Sequence, residues 1–334
     1  MLVVLVAGCS RDNETYQPSD EEILANAEEV LGVKISPETD WNMTASAMAR
    51  IAVDGDDGET YTVKIYANDP LADGKGYVLK RQQVKSGDTM QLMFEYPAAE
   101  ESLAVSVTDS EGYNYYKSVR VSDGLLETMF ANLNELWVPS YKRKDQPAVW
   151  TYAFEDTPLG DYDLNDVVLK VSENLRDTTK LEVRLCCTGA SFDLYVYLGE
   201  TPVFNGKEVH AALGQNRGLL LNTGKGPEVN VDALPPTVID KPEGFTFANA
   251  DFWIKSPLVP TGIHIAQTGK APLGIVIPGD WQWPLENVCI KEAYSGFLKF
   301  AENVQGESDH KWYKTTETVP VKDKVFVKRG VKGK

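Results

Sequence analysis

From residue 41 to about residue 122 the chain repeats one pattern: a short run of alternating apolar and polar residues, then a turn rich in glycine and aspartate. A period of two places the apolar side chains on one face of a strand, while Gly and Asp suit the backbone of tight turns. The six runs are residues 49–53, 61–66, 78–82, 89–94, 103–108 and 115–121. Strands at this spacing predict a small immunoglobulin-like β-sandwich over residues 41–123.

The second half of the chain continues in the same style. Its strand candidates are residues 180–187, 192–198, 203–204, 219–221, 252–254, 262–266 and 273–277, with a helix-like stretch at 292–300. We therefore expect a second β domain over residues 148–334, either a sandwich or a jelly roll. A chain of 334 residues is long for one core, which also favours two domains. The predicted fold class is mainly β, with two β-sandwich-like domains and short helices.

Residues 124–147, between these regions, break the alternation. They contain a predicted helical turn at residues 125–136 and a basic, proline-containing stretch at residues 139–147. Such a shift in composition is typical of a domain boundary, so we interpret the segment as a connector. A second short helix is predicted in the lead-in at residues 21–40. Ser19 and Glu22 have the spacing of a capping box there, and Gly32 ends the apolar periodicity.

The composition limits the partners of the chain. Its formal net charge of -16 argues against nucleic acid and anionic lipid surfaces, because both attract basic proteins. Clustered acids favour divalent cations instead. The four cysteines are too few for a disulfide scaffold. Cys186 and Cys187 are adjacent in a predicted strand, so one of them is free to meet Cys289, but buried thiols are the favoured state.

The N-terminus has the features of a lipoprotein signal. An apolar run ends in Leu-Val-Ala-Gly-Cys at residues 5–9, which resembles the lipobox of bacterial lipoproteins. There the cysteine takes a diacylglycerol, and acyl chains such as palmitate hold the protein to a membrane. We expect a signal peptide at residues 1–8, lipidation of Cys9 and a polar tether at residues 9–20. No basic residue precedes the apolar run, so either the true start lies upstream or the match is a coincidence.

The segment that opens the second half carries most of the acidic chemistry. Asp161, Asp163 and Asn165 alternate with Tyr162 and Leu164, and a further carboxylate, Asp166, follows at once. In an extended segment the oxygens lie on one side and the apolar side chains on the other. Several hard oxygen ligands in one short segment suit Ca²⁺, which takes six to eight oxygens in irregular geometry.

This segment does not have the ligand spacing of an EF-hand. Counted from Asp161, the sixth position is Asp166 instead of glycine, and the twelfth is Ser172 instead of glutamate. Glu155 and Asp156 complete the set of ligands if residues 158–160 form a turn. The alternative interpretation is a solvated Asx-turn that caps a strand, with Tyr162 and Leu164 in the core. The sequence favours the calcium site because of its density of ligands.

Residues 154–156 (FED) and 160–168 (GDYDLNDVV) resemble the signature of the LruC domain, which occurs in lipoproteins of Bacteroidetes and Leptospira. Short pieces at residues 283–286, 293–294, 300–302 and 312–313 are similar to the end of that domain. The lead-in at residues 31–44 resembles a segment common in the Bacteroidetes members. The resemblance implies a β-rich lipoprotein of the cell envelope and no established activity.

Motifs for catalysis are missing from the sequence. The three histidines, His210, His264 and His310, have no metal-ligand spacing, and no nucleophile elbow or phosphate-binding loop is found. Trp281 and Trp283 are two residues apart, so an extended chain would place both indoles on one face as a platform for sugar rings. The favoured alternative is that they fill the core.

The sequence predicts a lipid-anchored protein of the cell envelope, with the outer membrane favoured over the inner. Its expected role is adhesion, scaffolding or ligand capture, without catalysis and with Ca²⁺ at the acidic segment. The expected partners are the membrane and an envelope protein or glycan. The alternative is a carbohydrate-binding protein or glycan-active enzyme that uses Trp281 and Trp283.

Overall fold

A computed structural model describes residues 17–133, 144–303, 309–314 and 323–327. The prediction of a mainly β, sandwich-type fold with short helices is confirmed. The described chain begins with helix α1, Asp20–Leu31, in which Ser19 and Glu22 form the predicted capping box and Gly32 takes the left-handed C-cap. Among the described residues, no helix is long and apolar enough to cross a bilayer.

The first sandwich is built from one eight-stranded sheet in the order β4-β1-β7-β6-β5-β2-β3-β8. A four-residue helix, α2, Pro70–Asp73, precedes β3. The strands are β1 Thr44–Val53, β2 Thr60–Tyr66, β3 Lys75–Lys85, β4 Thr89–Pro97, β5 Ser102–Thr108, β6 Asn114–Ser122, β7 Leu125–Phe130 and β8 Lys144–Pro147. Within this order, strands β4-β1-β7 form one part of the sheet and strands β6-β5-β2-β3-β8 form the other. The two parts are joined by two residue pairs between β6 and β7. All six strands predicted for this region are present.

The predicted helical turn at residues 125–136 is wrong, because residues 125–130 form β7, which pairs in parallel with β1. Asp123 and Gly124 both have positive φ, 51° and 72°, and an Asp-Gly pair of this kind makes a tight hairpin turn between β6 and β7. That dipeptide is the signal that the sequence analysis missed. The connector at residues 124–147 therefore contributes two strands, β7 and β8, to the first sandwich.

The second half contains two sheets. The five-stranded sheet has the order β14-β11-β10-β9-β17, and the four-stranded sheet has the order β13-β12-β15-β16. Their strands are β9 Trp150–Phe154, β10 Val167–Glu173, β11 Lys180–Cys187, β12 Tyr195–Leu198, β13 Thr201–Pro202, β14 Thr237–Asp240, β15 Phe252–Ser256, β16 Val259–His264 and β17 Gly274–Pro278. The short helices are α3 Val209–Ala212, α4 Ile290–Ala293 and α5 Phe297–Glu302.

Predicted strands at residues 203–204 and 219–221 do not form. Val203–Gly206 is a 3₁₀ turn in which Phe204 and Asn205 have positive φ, and Leu221 makes a single bridge to Thr188. The helix-like stretch at residues 292–300 is two helices, α4 and α5, instead of one. In the described residues Cys186, Cys187 and Cys289 are buried free thiols.

The buried residues of both halves form one continuous hydrophobic cluster. Trp150 of β9 stacks on Phe247, with ring centroids 3.8 Å apart. The Glu95 carboxylate of β4 accepts hydrogen bonds from the backbone N–H groups of Phe247 and Ala248, at 2.7 and 3.0 Å. These contacts fix the acidic segment, which follows β9 directly, within the common core.

Candidate metal centre in an acidic loop

The acidic segment is the loop that joins β9 to β10. These strands pair antiparallel, with Phe154 opposite Val167, so the loop starts and ends at neighbouring positions. Residues 158 and 159 form the turn that the calcium interpretation requires. We call residues 155–166 the acidic loop. Its side chains come together because the two strands fix both of its ends.

Glu155 lies at the centre of the acidic loop. Its side chain is 1% exposed, and its two carboxylate oxygens accept hydrogen bonds from the backbone N–H groups of Tyr162 and Leu164, at 3.2 and 2.7 Å. A Cβ at Gly160 would lie 2.0 Å from Glu155 Oε2, so a larger residue there would have to displace this carboxylate. Glu155 therefore determines the path of the backbone around itself.

The backbone of the acidic loop differs from the extended segment that the sequence predicted. Tyr162 and Leu164 have φ of 57° and 53°, in the left-handed region, and both side chains are fully buried. Left-handed backbone costs a residue other than glycine on the order of 1 kcal/mol or more. The cost is tolerated here because the turned N–H groups reach Glu155, and because the two apolar side chains enter the core.

The other acidic side chains are also held by backbone N–H groups. Asp163 is 3% exposed and accepts from Asn165 at 3.1 Å and from Asn287 at 2.8 Å. Asp166 accepts from the N–H of Asp156 at 2.7 Å. Hydrogen bonds of this kind favour the ionised carboxylate, so the loop is organised around negative charge.

Three of the predicted ligands form one cluster. Glu155, Asp161 and Asp163 each place an oxygen within 4.8 Å of the other two, with Asp161 exposed and the other two buried. Asp156 and Asp166 lie beside them and share a hydrogen bond. The structure thus brings three of the five predicted carboxylates into one cluster, while Asp156 and Asp166 lie in the same loop outside it. Their role as metal ligands stays a prediction.

The electrostatics of the cluster are unfavourable to the charged forms. Burial, together with Asp163 and Asp161, raises the pKa of Glu155 well above its ordinary value. Burial and Asp161 raise the pKa of Asp163 to about 8. Burial raises the pKa of Asp166 strongly, with Glu155 as the main charged neighbour. Each of these groups therefore has neighbours that repel its negative charge.

Basic side chains do not neutralise this charge in the described part of the chain. None of the five carboxylates has a lysine or arginine nitrogen within 4.0 Å there. Buried charges in proteins are usually paired or bound to metals. Within the described residues these carboxylates therefore lack the basic partner that buried charges usually have.

Asn165 supplies a neutral oxygen at the same place. Its side chain is fully buried, its Nδ2 donates to the carbonyl of Pro284 at 3.3 Å, and its Oδ1 has no hydrogen-bond partner. A Cβ at Gly189 would lie 2.1 Å from this Oδ1. A buried amide oxygen without a donor is costly, and coordination to a cation would remove that cost.

The segment before α4 contributes groups that the sequence analysis did not name as ligands. Glu286 is half-buried, and its Oε2 has no hydrogen-bond partner. Burial and the carboxylate of Asp161 raise its pKa. The neighbouring Asn287 N–H binds Asp163. About 120 residues separate this segment from the acidic loop in sequence, so only the fold shows that the two meet.

The favoured interpretation of Trp281 and Trp283, that they fill the core, agrees with the structure, and the alternative of an exposed platform for sugar rings does not. Trp281 and Trp283 are 3% and 4% exposed. Trp281 packs against Tyr294 and Trp312, and Trp283 stacks on Phe326, with centroids 5.3 Å apart. Both indoles fill the core because their large apolar area is needed there. The other predicted site residue, Cys9, lies outside the described residues.

Comparison with known protein families gives a match in the C-terminal part of the chain. A family model described as a domain of unknown function (DUF4842) matches residues 261–313. The matched segment includes β17, α4 and α5, and also Glu286 and Asn287, which face the acidic loop. No curated protein matches the chain.

Proposed function

We propose that the chain is a calcium-stabilised, non-catalytic module for adhesion, scaffolding or ligand capture at the cell envelope. The observation that carries the proposal is the convergence of buried carboxylates at Glu155 and Asp163 without a basic partner among the described residues. A divalent cation there would convert mutual repulsion into attraction and restore ordinary ionisation.

The donor set favours Ca²⁺ over other common metals. All candidate ligands are oxygens, from carboxylates and the Asn165 amide. The set contains none of the nitrogen and sulfur ligands that zinc prefers. Mg²⁺ needs near-ideal octahedral geometry and keeps several waters, whereas Ca²⁺ accepts six to eight oxygens in irregular arrangement. The acidic loop and Glu286 offer many oxygens from separate segments, which suits the larger ion.

The proposed ion would act structurally, as a link between distant parts of the chain. It would hold the acidic loop against the segment of Glu286 and Asn287 that precedes α4. Of the histidines, His210 is not available for catalysis. His210 is fully buried and bound to Glu208 and to the carbonyl of Leu219, which leaves it no access to a substrate.

The location of the protein belongs to the same proposal. Lipidation of Cys9 would anchor the chain to a membrane through its tether, with the outer membrane favoured. Membership of the LruC-type lipoproteins would agree with the acidic loop, whose Asp-Tyr-Asp-x-Asn-Asp core carries that resemblance. Mass spectrometry of the protein purified from its own membranes tests the anchor, since an acylated N-terminal cysteine adds the mass of its lipid.

Isothermal titration calorimetry with CaCl₂ tests the metal site directly. We expect saturable binding of Ca²⁺ to the metal-free protein. Asp163→Asn should weaken this binding by about tenfold or more, because even the loss of a residue that only supports a metal ligand usually costs about that much affinity. The matched control is Asp57→Asn, an exposed aspartate in another acidic turn. It should bind Ca²⁺ as the wild type does.

Two results of this titration would contradict the proposal. One is the absence of any calcium-dependent heat in the folded wild-type protein. The other is equal weakening in Asp163→Asn and Asp57→Asn, which would indicate only diffuse attraction of cations to an acidic surface.

A further inference from the structure

A groove of about 570 Å³ lies outside the acidic loop, where residues 40–42, 248–251 and 264–268 meet. Its walls are mainly polar: exposed side chains there are those of Asp40, Asn42, Asn249, Asp251, His264 and Gln267. We call it the polar groove. All the segments that line it lie within the described residues.

An aromatic ladder ends at the polar groove. Tyr197, Trp253 and His264 stand at paired positions on β12, β15 and β16. Their rings stack in sequence, with centroids 4.6 and 5.2 Å apart and interplanar angles of 16°. Because β16 is the edge strand of its sheet, His264 is the last ring of the ladder.

The orientation of the His264 ring is fixed. Its Nδ1 pairs with Asp251 at 3.0 Å and its Nε2 lies 3.3 Å from the carbonyl of Thr261, while its side chain remains 47% exposed. Gly262 permits the stack, since a Cβ there would lie 2.5 Å from the Trp253 ring. An exposed ring that is held on one side by stacking and at its edge by hydrogen bonds is a pre-organised contact surface.

Residues 40–42, which also line the polar groove, are held in place at a conformational cost. Trp41 has a φ of 55°, its side chain is 2% exposed, and its Nε1 donates to the carbonyl of Lys270 at 2.9 Å. The buried indole anchors the chain between Asp40 and Asn42, whose side chains are exposed in the groove. Backbone strain at a non-glycine residue persists only where the surroundings enforce it.

These groups match a hydroxyl-rich, uncharged ligand. The exposed Asn249 and Gln267 amides each carry two N–H donors and an acceptor oxygen, which is what sugar hydroxyls require. Asp40 and Asp251, with the net charge of -16, repel anionic ligands. The polar walls do not favour an apolar ligand, because its binding would leave these groups without hydrogen bonds.

We propose that the polar groove binds a neutral glycan, with the His264 ring as the stacking surface and the Asn249 and Gln267 amides as hydrogen-bonding groups. This inference names a ligand class for the capture role proposed above and rests on that role. It does not depend on the calcium site, because the groove and the acidic loop share no residue.

Affinity electrophoresis tests the inference with defined probes. Gels contain hydroxyethylcellulose, xylan, galactomannan or amylopectin as neutral glycans, or heparin as an anionic one, all with Ca²⁺ present. We expect retardation by at least one neutral glycan and none by heparin. His264→Ala and Gln267→Ala should each weaken binding by about tenfold, the loss typical of a contact at the centre of a site.

Gln267 is exposed, so its substitution should leave the fold intact, and Tyr113→Ala removes an exposed aromatic side chain of the first sandwich as the matched control. Migration unaffected by all four neutral glycans would overturn the inference. Equal retardation of wild type, His264→Ala and Gln267→Ala would overturn it as well. Loss of retardation with intact calcium titration contradicts the groove alone, whereas retained retardation without calcium binding contradicts the metal site alone.

Discussion

At the residue scale, Glu155 explains more of the acidic loop than any other side chain. It is buried, it accepts two backbone hydrogen bonds, and it faces Asp161 and Asp163. Removal of its charge or of the space around it should therefore disturb both the loop and the proposed ion. A substitution at Gly160, which faces Glu155, tests the space around the carboxylate without removing its charge.

Gly160→Ala should destabilise the protein by about 1–3 kcal/mol, the usual cost of overpacking, because the new Cβ would meet Glu155 Oε2. It should also weaken calcium binding. Urea unfolding measures the first effect and calorimetry the second. Leu159→Ala, at the exposed neighbouring residue, is the control and should stay within about 0.5 kcal/mol of the wild type. Equal stability of the two variants would show that the loop has room at Gly160.

The raised pKa values predict how stability depends on pH. Burial is the main cause that raises the pKa of Asp163 to about 8 and that of Asp156 to about 6, both from 3.8. Such an acid holds its proton more tightly in the folded state, so its contribution to stability is complete below 3.8 and is lost as the pH rises through the higher pKa.

We therefore expect the metal-free protein to lose stability between about pH 4 and pH 8, and Ca²⁺ to add most stability at the upper end, where protons no longer compete with it. Urea unfolding across this range, in EDTA and in CaCl₂, measures both effects. In Asp163→Asn the decline should be smaller. Stability in EDTA that rises with pH over this range would contradict the assignment.

At this scale the sequence predicted the identity of the acidic residues but not their partners. Asp161, Asp163, Asn165 and Asp166 are adjacent in the chain, so their density was visible. The left-handed backbone of Tyr162 and Leu164 was not, since only burial in the folded protein makes it affordable. Glu286 was missed because its proximity to Asp161 depends on tertiary structure.

At the element scale, the acidic loop connects β9 and β10 to the segment before α4. Four backbone N–H groups hold this arrangement, two within the loop and two from the segment that leads into α4. Those of Tyr162 and Leu164 donate to Glu155, that of Asn287 donates to Asp163, and that of Ile290 donates to the carbonyl of Tyr162 at 2.7 Å. An ion that keeps these carboxylates ionised and in place should stabilise the loop and the segment before α4 together.

Hydrogen exchange should detect this link. We expect the four amides above to exchange more slowly in CaCl₂ than in EDTA, because local opening becomes less favourable when a ligand binds only the closed state. The amides of Val53 and Asp54, which donate to Asp88 and to Phe130 in the first sandwich, serve as controls and should slow less, because only global unfolding couples them to the acidic loop. Uniform slowing over both halves would instead indicate a global effect.

Sequence pattern predicted elements best where alternation was regular. The six strands of residues 41–123 were found because each run is short and is bounded by Gly and Asp. The segment that forms β7 was predicted as a helical turn because its apolar and polar residues do not alternate. The hairpin turn at Asp123 and Gly124, which indicates a strand, was overlooked. The strand predicted at residues 203–204 failed because positive φ at Phe204 and Asn205 turns the chain.

At the scale of the whole molecule, the two sandwiches share one core. Trp150 and Phe247 stack within it. Near the same boundary, Glu173 binds both Lys80 of the first sandwich and Lys241 of the second, each at 2.7 Å. The sequence suggested two separate β domains. The alternation of apolar and polar residues predicts strands, but it does not show how much apolar surface the two domains bury against each other. With such contacts, calcium bound in one half should stabilise the entire chain.

The central claim, that Ca²⁺ stabilises the fold through the acidic loop, is tested most directly by thermal unfolding of the purified protein in EDTA and in millimolar CaCl₂. At a hundredfold excess over Kd, we expect about 2.7 kcal/mol of added stability. The wild type should then melt at a higher temperature in one transition, by both tryptophan fluorescence and circular dichroism, and Asp163→Asn, if it binds tenfold more weakly, should gain only about 1.4 kcal/mol. Identical melting of the wild type in EDTA and CaCl₂ would contradict the claim.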